Sequence, residues 1–592
     1  MQKRNFKKYF KKKKESALIM RKQTKLVAVL STAALLAIGA SMTSFAATGW
    51  AEEDGTWVYY NRDGERATDQ WKKSGNNWYW LDTNGEMAID QLIEDGDNYY
   101  YVDINGVMAA NQWVAIDNED AGQDDEPDHY WYYFQANGKA LKNGDNDKVA
   151  LKTVNGKKYA FDDEGKMLFG WVSADNAERI DNTDGDAFKE GDYYFGGEDD
   201  GAMTVGWLQM DITYDEATDD AYKEIAPVFT DDEDQSRWFY FQSNGKKVKS
   251  DNPDLQKNKT INGKKYSFDN NGAMVAEWNM DQAKKNATAS TPGEAAWSTA
   301  WRYYNSVDDG ARLSKGWFKV VAAEMLNETK YNDDEDAWYY ADGNGHLYAG
   351  EFKTINGKKY AFRQDGRMID GLQLINVKGG FLVEGDDGKY NFETEDDFNE
   401  NTATALEDGY RYYYFGDGDD GAMKTGNTKV TIDGDTFNFY FETAGALKGA
   451  GKTGEKDKKF YLGGKLVAAG KDEKYQVVKV IEDQADANDV SYTVYEKYDD
   501  VQDLVDKSIV EKIPTEDYKD LSANDMKNKY GVNKKGADVS ELYMPIDGVD
   551  MSDYVLVNTS GKKITSNGKN KDGNDYYYVI DKKVIKSIYV EN

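Results

Sequence analysis

The sequence predicts an all-β solenoid of tandem β-hairpins with a small degenerate C-terminal region. Gly (55), Tyr (43) and Trp (15) are abundant and Pro (6) is rare. Aromatic residues form 14% of a chain in which 31% of residues are charged. One phrase also recurs, as VNGKKYAFDDEGKMLFGW from Val154, INGKKYSFDNNGAMVAEW from Ile261 and INGKKYAFRQDGRMIDGL from Ile355. Repeated aromatic phrases in a polar chain indicate many small local cores, not one large core.

The simplest repeat is QWKKSGNNWYWLDTNGEMAI, from Gln70 to Ile89. It has an opening Trp, a turn at 74–76, an aromatic strand, a second turn at 82–85 and a short return segment that contains Met87. Turn residues at this spacing around aromatic strands are typical of β-hairpins. Because a lone hairpin of about 20 residues is marginally stable at best, the hairpins are expected to stack side by side.

The N-terminus predicts a signal peptide over residues 1–46. Lys and Arg crowd positions 3–25, an apolar run follows from Leu26 to about Met42, and Ser44-Phe45-Ala46 suits a signal peptidase. Met20 is an alternative start. We therefore expect a secreted, cell-surface protein that does not insert into the membrane after the signal is removed.

The charge and the missing residue types exclude several function classes. Removing residues 1–46, which carry ten more positive than negative charges, takes the net charge from −33 to −43. That charge opposes binding to nucleic acid or anionic lipid. The chain has no Cys, and its two His, His129 and His346, fall in repeat turns or return segments. We predict no enzyme, cofactor or metal site, although acidic turns such as 417–421 leave weak calcium binding as an alternative to solvated loops.

The pattern GW-x(n)-G-x-WYY-x-(D/N)-x-x-G-x-M-x-x-GW resembles the choline-binding, or cell-wall-binding, repeat of Gram-positive surface proteins. Related repeats occur in glucan-binding regions of glucosyltransferases and in clostridial toxins. The resemblance extends from residue 48 to about 470. It implies boxes built from the opening Trp, the first aromatic of the following strand and an aromatic of the next hairpin, often with Met as a fourth wall. The implied partner is choline-bearing teichoic acid or another cell-wall glycan, because aromatic faces attract quaternary ammonium groups.

Strand alternation assigns the aromatic residues to two faces. Aligning the repeats on the second turn puts Trp57, Trp78, Tyr99, Trp131, Trp238, Trp301 and Trp338 in one register. Val58, Tyr79, Tyr100, Tyr132 and Phe239 take the opposite face. The predicted choline- or glycan-binding sets are Trp50, Trp57 and Trp80 with Met87; Trp71, Trp78 and Tyr101 with Met108; and Trp278, Trp301 and Tyr340. The alternative is that these aromatics are core residues.

The three repeats that begin at Val154, Ile261 and Ile355, here called the NGKK units, depart from this arrangement of aromatic residues. Lys158 and Ala160 stand where a box needs Trp and Tyr, and the other two copies place Lys and Ser or Ala there. We expect these units to stack as spacers without forming a box. The box opened by Trp171 is expected to lack its strand aromatic, because Asp192 aligns with Trp78.

The predicted organisation is a signal peptide (1–46), hairpin repeats (47–470) and a divergent region with terminal capping repeats (471–592). Within the last, EDYKDLSANDMKNKY (516–530) predicts a helix capped by Ser522 or Asn524. The predicted function is envelope attachment by an exported, non-enzymatic protein. One alternative is an adhesin or structural spacer whose acidic loops contact a host or neighbouring surface partner. A weaker one is a cell-wall hydrolase with its catalytic part in 471–592.

Overall fold

The computed structural model describes residues 48–592 except 124, 145–146, 213–234, 253–254, 289–290, 379, 384–388, 471–472, 486–490 and 574. The predicted signal peptide lies outside these residues. Within the described ranges no helix has the length and apolarity needed to cross a membrane. The chain divides into two compact units. Unit 1 runs to Ala283 and includes Tyr303–Leu313, and unit 2 comprises Lys284–Arg302 and Ser314–Asn592.

Unit 1 consists mainly of two-stranded antiparallel hairpins, as the sequence predicts. The paired strands are β1 (Gly49–Glu53) and β2 (Thr56–Tyr60), β3 (Gln70–Ser74) and β4 (Asn77–Leu81), β5 (Gln91–Asp95) and β6 (Asn98–Val102), β7 (Gln112–Asp117) and β8 (His129–Phe134), β9 (Lys152–Val154) and β10 (Lys157–Tyr159), β11 (Trp171–Val172) and β12 (Tyr193–Tyr194), β13 (Gly206–Ile212) and β14 (Gln235–Phe241), and β15 (Lys257–Ile261) and β16 (Lys264–Phe268). Strand β17 (Trp278–Met280) follows, and β18 (Trp301–Tyr303) spans the unit boundary.

Unit 2 continues with hairpins and ends in wider sheets. Its repeat strands are β19 (Gly316–Val321), β20 (Asp336–Ala341), β21 (Glu351–Ile355), β22 (Lys358–Phe362), β23 (Leu372–Asn376), β24 (Leu382–Val383), β25 (Arg411–Tyr414), β26 (Gly426–Ile432), β27 (Asp435–Phe441), β28 (Gly454–Lys456), β29 (Lys459–Leu462) and β30 (Lys465–Leu466). The C-terminal strands are β31 (Tyr475–Ala485), β32 (Ser491–Tyr498), β33 (Val510–Lys512), β34 (Val539–Pro545), β35 (Tyr554–Asn558), β36 (Lys563–Ile564), β37 (Gly568–Lys571), β38 (Tyr576–Asp581) and β39 (Val584–Glu591).

Helices occupy insertions between strands. They are α1 (Ala187–Glu190), α2 (Gln282–Thr288), α3 (Ala295–Ser298), α4 (Glu328–Asn332), α5 (Glu395–Glu407), α6 (Val501–Asp506) and α7 (Ala523–Tyr530). The helix predicted within 516–530 is confirmed for its second half, as α7, where the Ser522 side chain accepts a hydrogen bond from the Asp525 N–H. Helix α5 has no counterpart among the predicted elements; it begins with a capping box between Thr394 and Asp397.

The NGKK phrase encodes a tight hairpin turn. Asn155, Asn262 and Asn356 have φ values of 48° to 49°, and the glycines that follow have values of 81° to 83°. A type I′ turn needs positive φ at both central residues, and Asn-Gly is the pair that adopts it most readily. The phrase recurs because it closes β9–β10, β15–β16 and β21–β22 with two residues each.

In several repeats an aspartate holds the second turn. One oxygen of Asp82 accepts hydrogen bonds from the N–H groups of Asn84 (2.9 Å) and Glu86 (2.8 Å). Asp103, Asp162 and Asp342 make the same pair of contacts two and four residues on. The carboxylate replaces the backbone acceptors that the turn lacks, which explains the (D/N)-x-x-G spacing.

A backbone ladder, here called the return ladder, joins each return segment to the preceding hairpin. Met87 N donates to Trp57 O over 2.8 Å, and Met108 N donates to Trp78 O over 2.9 Å. Equivalent bonds join Ala140 to Tyr99, Met167 to Trp131, Met203 to Lys158, Lys247 to Asp192, Met274 to Trp238, Arg312 to Lys265, Leu347 to Trp301, Met368 to Trp338 and Met423 to Lys359. The acceptors are the predicted register positions, so the ladder confirms the alignment and the stacking of successive hairpins within each unit.

The opposite face forms the local cores. Val58, Tyr79, Tyr100, Tyr132 and Phe239 are each at most 9% exposed. The turn glycines close these cores from the next hairpin. A Cβ atom placed on Gly106 would lie 2.8 Å from Met87 Cε. Glycine is therefore required there both by its positive φ and by the methionine beneath it.

The C-terminal region builds wider sheets than the hairpins before it. Strands β32, β31, β35 and β36 form one antiparallel sheet, and β33, β34, β39, β38 and β37 form another. Leu556, Ile580 and Ile588, each at most 2% exposed, belong to a core cluster that both sheets share. Replacement of Trp by Val, Ile and Tyr gives these strands aliphatic faces that pack sheet on sheet, beyond the paired strands expected of capping repeats.

Candidate functional site

The opening Trp of each repeat packs edge-on against the aromatic directly opposite it in its own hairpin. Trp71 lies 5.3 Å from Trp80, measured between ring centroids, and the rings are inclined at 63°. The corresponding pairs are Trp50 with Tyr59, Trp113 with Tyr133, Trp171 with Tyr194, Trp207 with Tyr240, Trp278 with Tyr303 and Trp317 with Tyr340, at 5.0 to 5.4 Å. Such edge-to-face pairs stabilise by about 0.5–1.5 kcal/mol beyond the area they bury.

The same Trp also contacts the next hairpin, through a residue of the opposite face. Trp50 lies 5.2 Å from Tyr79, and Trp71 lies 5.0 Å from Tyr100. In the NGKK units the equivalent tyrosines contact Trp113, Trp207 and Trp317 at 4.8 to 4.9 Å. Tyr159, Tyr266 and Tyr360 thus pack against the opening Trp of the preceding repeat. In each of these hairpins, the residue whose carbonyl accepts the return-ladder bond is Lys, not Trp.

The first predicted set lies on the first two hairpins. Trp50 is wedged between Tyr59 and Tyr79, and among the described residues its buried Nε1 has no hydrogen-bond partner. Met87 adjoins Trp57 through the return ladder. Trp80 is 9% exposed and packs on Trp71 of its own hairpin.

The second predicted set contains the most exposed of the predicted walls. Trp78 is 40% exposed, and the Lys73 ammonium, opposite it across the hairpin, lies 5.7 Å from the centre of its ring. Met108 adjoins Trp78 through the return ladder and packs in the same apolar cluster as Trp71. Tyr101 lies in the following cluster, 6.1 Å from Phe134, and its hydroxyl donates to Asp90.

The third predicted set is divided between the units. Trp278 is 5% exposed and packs on Tyr303 in unit 1. In unit 2, Trp301 is fully buried and lies 5.5 Å from Trp297. Tyr340 lies edge-to-face with Trp317 (5.1 Å) and stacks on Tyr348 (5.5 Å).

Two aspartates missed by the sequence analysis lie beside the register tryptophans. Asp199 accepts from Trp131 Nε1 (3.2 Å) and contacts His129 Nε2 (3.1 Å). Asp419 accepts from Trp338 Nε1 (2.8 Å) and pairs with Lys319 (3.1 Å). Both belong to a D-D-G turn that reaches back across an NGKK hairpin, and that shared D-D-G within YYF…GAM was the available signal.

These contacts bear on the calcium alternative for the turn at 417–421. Asp417 accepts from the Tyr414 hydroxyl (2.8 Å), Asp419 from Trp338, and Asp420 pairs with Lys424. The carboxylates are engaged by protein donors. Across the part of the chain that the structure describes, no group of three or more His, Asp or Glu residues is arranged to hold a metal ion.

The box opened by Trp171 is filled by the protein itself. Lys247 occupies the return-ladder position that Met takes elsewhere, and its N–H donates to Asp192 O over 2.7 Å. Its ammonium lies 4.8 Å from the centre of the Trp171 ring and 5.7 Å from that of Phe239, and donates to the Phe188 carbonyl. Asp192 does hold the Trp78 position, as predicted, and its carboxylate pairs with Lys249 at 3.0 Å. The Lys247 side chain thus fills the space beside Trp171.

Lys247 gives a prediction for the pH dependence of stability. Burial lowers its pKa to about 7 from 10.5, and the neighbouring Lys249 charge acts in the same direction. Between these values the unfolded chain binds the proton more tightly, so stability rises with pH above 7 and the gain is lost as pH falls through 7. One proton corresponds to about 1.4 kcal/mol per pH unit. In thermal unfolding measured from pH 7 to 9.5, the melting temperature of the native sequence should rise relative to that of Lys247→Met. Parallel curves of melting temperature against pH for the two proteins would contradict this.

Stacked hairpins with an aromatic cluster at each described junction define a repeat protein of the β-hairpin solenoid type. Residues 47–91 and 67–113 match the family described as choline-binding repeat, and residues 259–274 match the one described as putative cell wall binding repeat. These stretches are similar to choline-binding and cell-wall-binding repeats, which confirms the predicted resemblance. The match at residues 259–274 coincides with the NGKK hairpin formed by β15 and β16.

The chain is also similar to characterised proteins of streptococci. It is 25% identical over 250 residues to glucosyltransferase-S of Streptococcus mutans serotype c, which covers 42% of this chain and 12% of that one. Among solved structures, the modular autolysin LytC of Streptococcus pneumoniae matches with 18% identity, 55% and 54% coverage of the two chains and a TM-score of 0.28. The choline-binding domain of CbpL from the same organism matches with 20% identity, 45% and 97% coverage and a TM-score of 0.25.

The chain thus spans about an eighth of the glucosyltransferase and about half of LytC. Since both TM-scores lie below 0.5, the fold assignment depends on the hairpin geometry described above.

Proposed function

We propose that this is an exported, non-enzymatic protein that attaches to the Gram-positive cell envelope by binding choline groups through aromatic boxes between its hairpins. The observation that carries the proposal is the return ladder, which sets a Met beside the register tryptophans Trp57, Trp78, Trp131, Trp238 and Trp338. The family matches over 47–113 and 259–274 support the same ligand class. Choline-bearing teichoic acid is the proposed partner, and cell-wall or cell-surface association the proposed location.

The chemistry of the junctions supports a cationic ligand without N–H groups. The boxes offer ring faces, and cation–π attraction contributes about 0.5–2 kcal/mol per contact. The chain's own lysines already use this attraction, since Lys73 and Lys319 lie 5.7 and 5.9 Å from the ring centres of Trp78 and Trp338. The net charge of −33 favours the approach of a cation.

Trp78 is the proposed primary wall. Its ring is 40% exposed, whereas Trp80 in the same strand is 9% exposed. A ligand that displaced the Lys73 ammonium would meet this ring without disturbing a core. Trp57 is placed equivalently in the first hairpin.

Choline should quench tryptophan fluorescence of the 47–592 chain in a saturable way and raise its melting temperature. The matched control is 3,3-dimethylbutan-1-ol, which has the shape of choline without its charge and should do neither. Choline should also elute the protein from intact Gram-positive cells. An unchanged spectrum and melting temperature at high choline would rule out the choline proposal.

A further inference from the structure

The structure contains a second kind of cavity in unit 2, away from the aromatic boxes. It lies between the start of helix α5, the β29–β30 turn region and strands β31 and β32, and has a volume of about 870 Å³. Its walls carry Glu395, Asp396, Glu400, Glu473, Glu496 and Asp499, with Lys465 and Lys497 as the basic residues.

One of the two lysines is already neutralised. Lys465 is 5% exposed, and its ammonium lies 2.5 Å from a Glu395 oxygen and 3.2 Å from the Asn399 side-chain oxygen. Its charge is therefore balanced by Glu395 in the wall of the cavity. The other acidic residues exceed the remaining lysine, so the cavity has an uncompensated negative charge.

A buried acceptor points to the same kind of occupant. Gln476 lines the cavity and is 4% exposed, and its Nε2 donates to Asp499 over 3.1 Å. Its Oε1 is buried and has no hydrogen-bond partner among the described residues. A buried polar atom without a partner is costly, and native proteins rarely leave one unmet.

The pKa of Glu473 reflects the negative charge around it. Burial raises the pKa of its carboxyl group, and the nearby carboxylates of Asp499 and Asp572 raise it further. A bound cation would relieve this repulsion. Carboxylates and an amide oxygen are all acceptors, so the fitting occupant must donate hydrogen bonds as well as carry positive charge.

We infer that this cavity binds a ligand carrying several protonated amino groups, through Glu473, Asp499 and the free Gln476 oxygen. The two sources of that chemistry are a lysine-rich peptide segment and a free polyamine. The volume suits a ligand of several residues better than a single side chain. A quaternary ammonium has no N–H to donate, so this site is independent of the choline proposal and survives its failure.

The test is calorimetric titration of the 47–592 chain with tetralysine and with spermine at physiological salt. Glu473→Gln should weaken binding at least tenfold, and Gln476→Met several-fold. The matched control is Glu511→Gln, an exposed carboxylate of strand β33 outside the cavity, which should leave the affinity unchanged. Binding of tetralysine alone identifies a peptide, and equal binding of spermine identifies a polyamine.

Three results would overturn the inference. They are no binding of either probe, equal weakening by Glu473→Gln and Glu511→Gln, or binding that choline abolishes. Equal weakening would show only the general attraction of an acidic chain. Melting curves of each variant, matching the native curve within a few degrees, ensure that a loss of binding is not a loss of fold.

Discussion

Replacing Trp71 with alanine is expected to destabilise its part of the hairpin stack by about 3–5 kcal/mol, the range for large aromatic truncations in cores. Trp71 is held on both sides, by Trp80 at 5.3 Å and by Tyr100 at 5.0 Å. Its Nε1 also donates to Asp95 over 3.1 Å. The cavity would open at the junction between two hairpins, so native-state hydrogen exchange over residues 70–102 should show the loss locally.

Trp78→Ala is the matched variant. It removes the same type of side chain seven residues further on, from a position that is 40% exposed. We expect a small change in melting temperature and a loss of choline-induced protection over residues 70–108. Removing one wall should weaken that site by about 2- to 30-fold, given about 0.5–2 kcal/mol per cation–π contact. If Trp78→Ala destabilised the stack as much as Trp71→Ala, both rings would be core residues and the box assignment would fail.

Gly536→Ala is expected to unfold the C-terminal sheets, at a cost of at least about 3 kcal/mol. A Cβ atom on Gly536 would overlap the carbonyl oxygen of Tyr518 and lie 2.6 Å from its carbonyl carbon. Both contacts are with backbone, which cannot turn aside as a side chain can. Tyr518 is 1% exposed in the cluster that contains Met526 and Leu542, so the segment has no room to shift.

Gly470→Ala provides the control for Gly536→Ala. It adds the same methyl group in the same unit; apart from the chain neighbours, no heavy atom of the described residues lies within 4 Å of the new Cβ, and its φ lies outside the left-handed region. Its effect on melting should be slight. For Gly536→Ala, the strand signal in circular dichroism should fall and the protection from hydrogen exchange over residues 510–592 should be lost, while unit 1 keeps its exchange protection. Retained protection in both regions would contradict the prediction.

Much of the fold followed from local sequence. The (D/N)-x-x-G spacing predicted both the turn and the register, because the Asp82 type of turn needs only residues two and four positions on. The Asn-Gly pairs of the NGKK units are equally local, since positive φ at both positions fixes the turn. The boundaries at 47 and 470 remain predictions.

The parts that escaped prediction depend on contacts distant in sequence. Asp199 meets Trp131 68 residues away, across an intervening hairpin. Nothing in the local sequence distinguishes Lys247 from Lys246 beside it, and only the fold sets the Lys247 ammonium over Trp171. Local pattern identifies the opening tryptophans but not their neighbours, so it could not separate the half-buried Trp71, packed between two rings, from the exposed Trp78. The acidic cavity requires helix α5 and two later sheets to meet, and composition alone only showed that carboxylates were plentiful.

The return ladder has a mechanical consequence. Within each unit, a repeat hairpin is joined to the one before it by a short set of backbone bonds and by aromatic contacts. Tension along the chain would therefore detach one hairpin at a time. A freed repeat of about 20 residues lengthens the chain by up to about 70 Å, at roughly 3.3–3.6 Å per residue. Held at one end by an envelope, such a molecule would lengthen stepwise and dissipate a pull, instead of passing the whole load to its point of attachment.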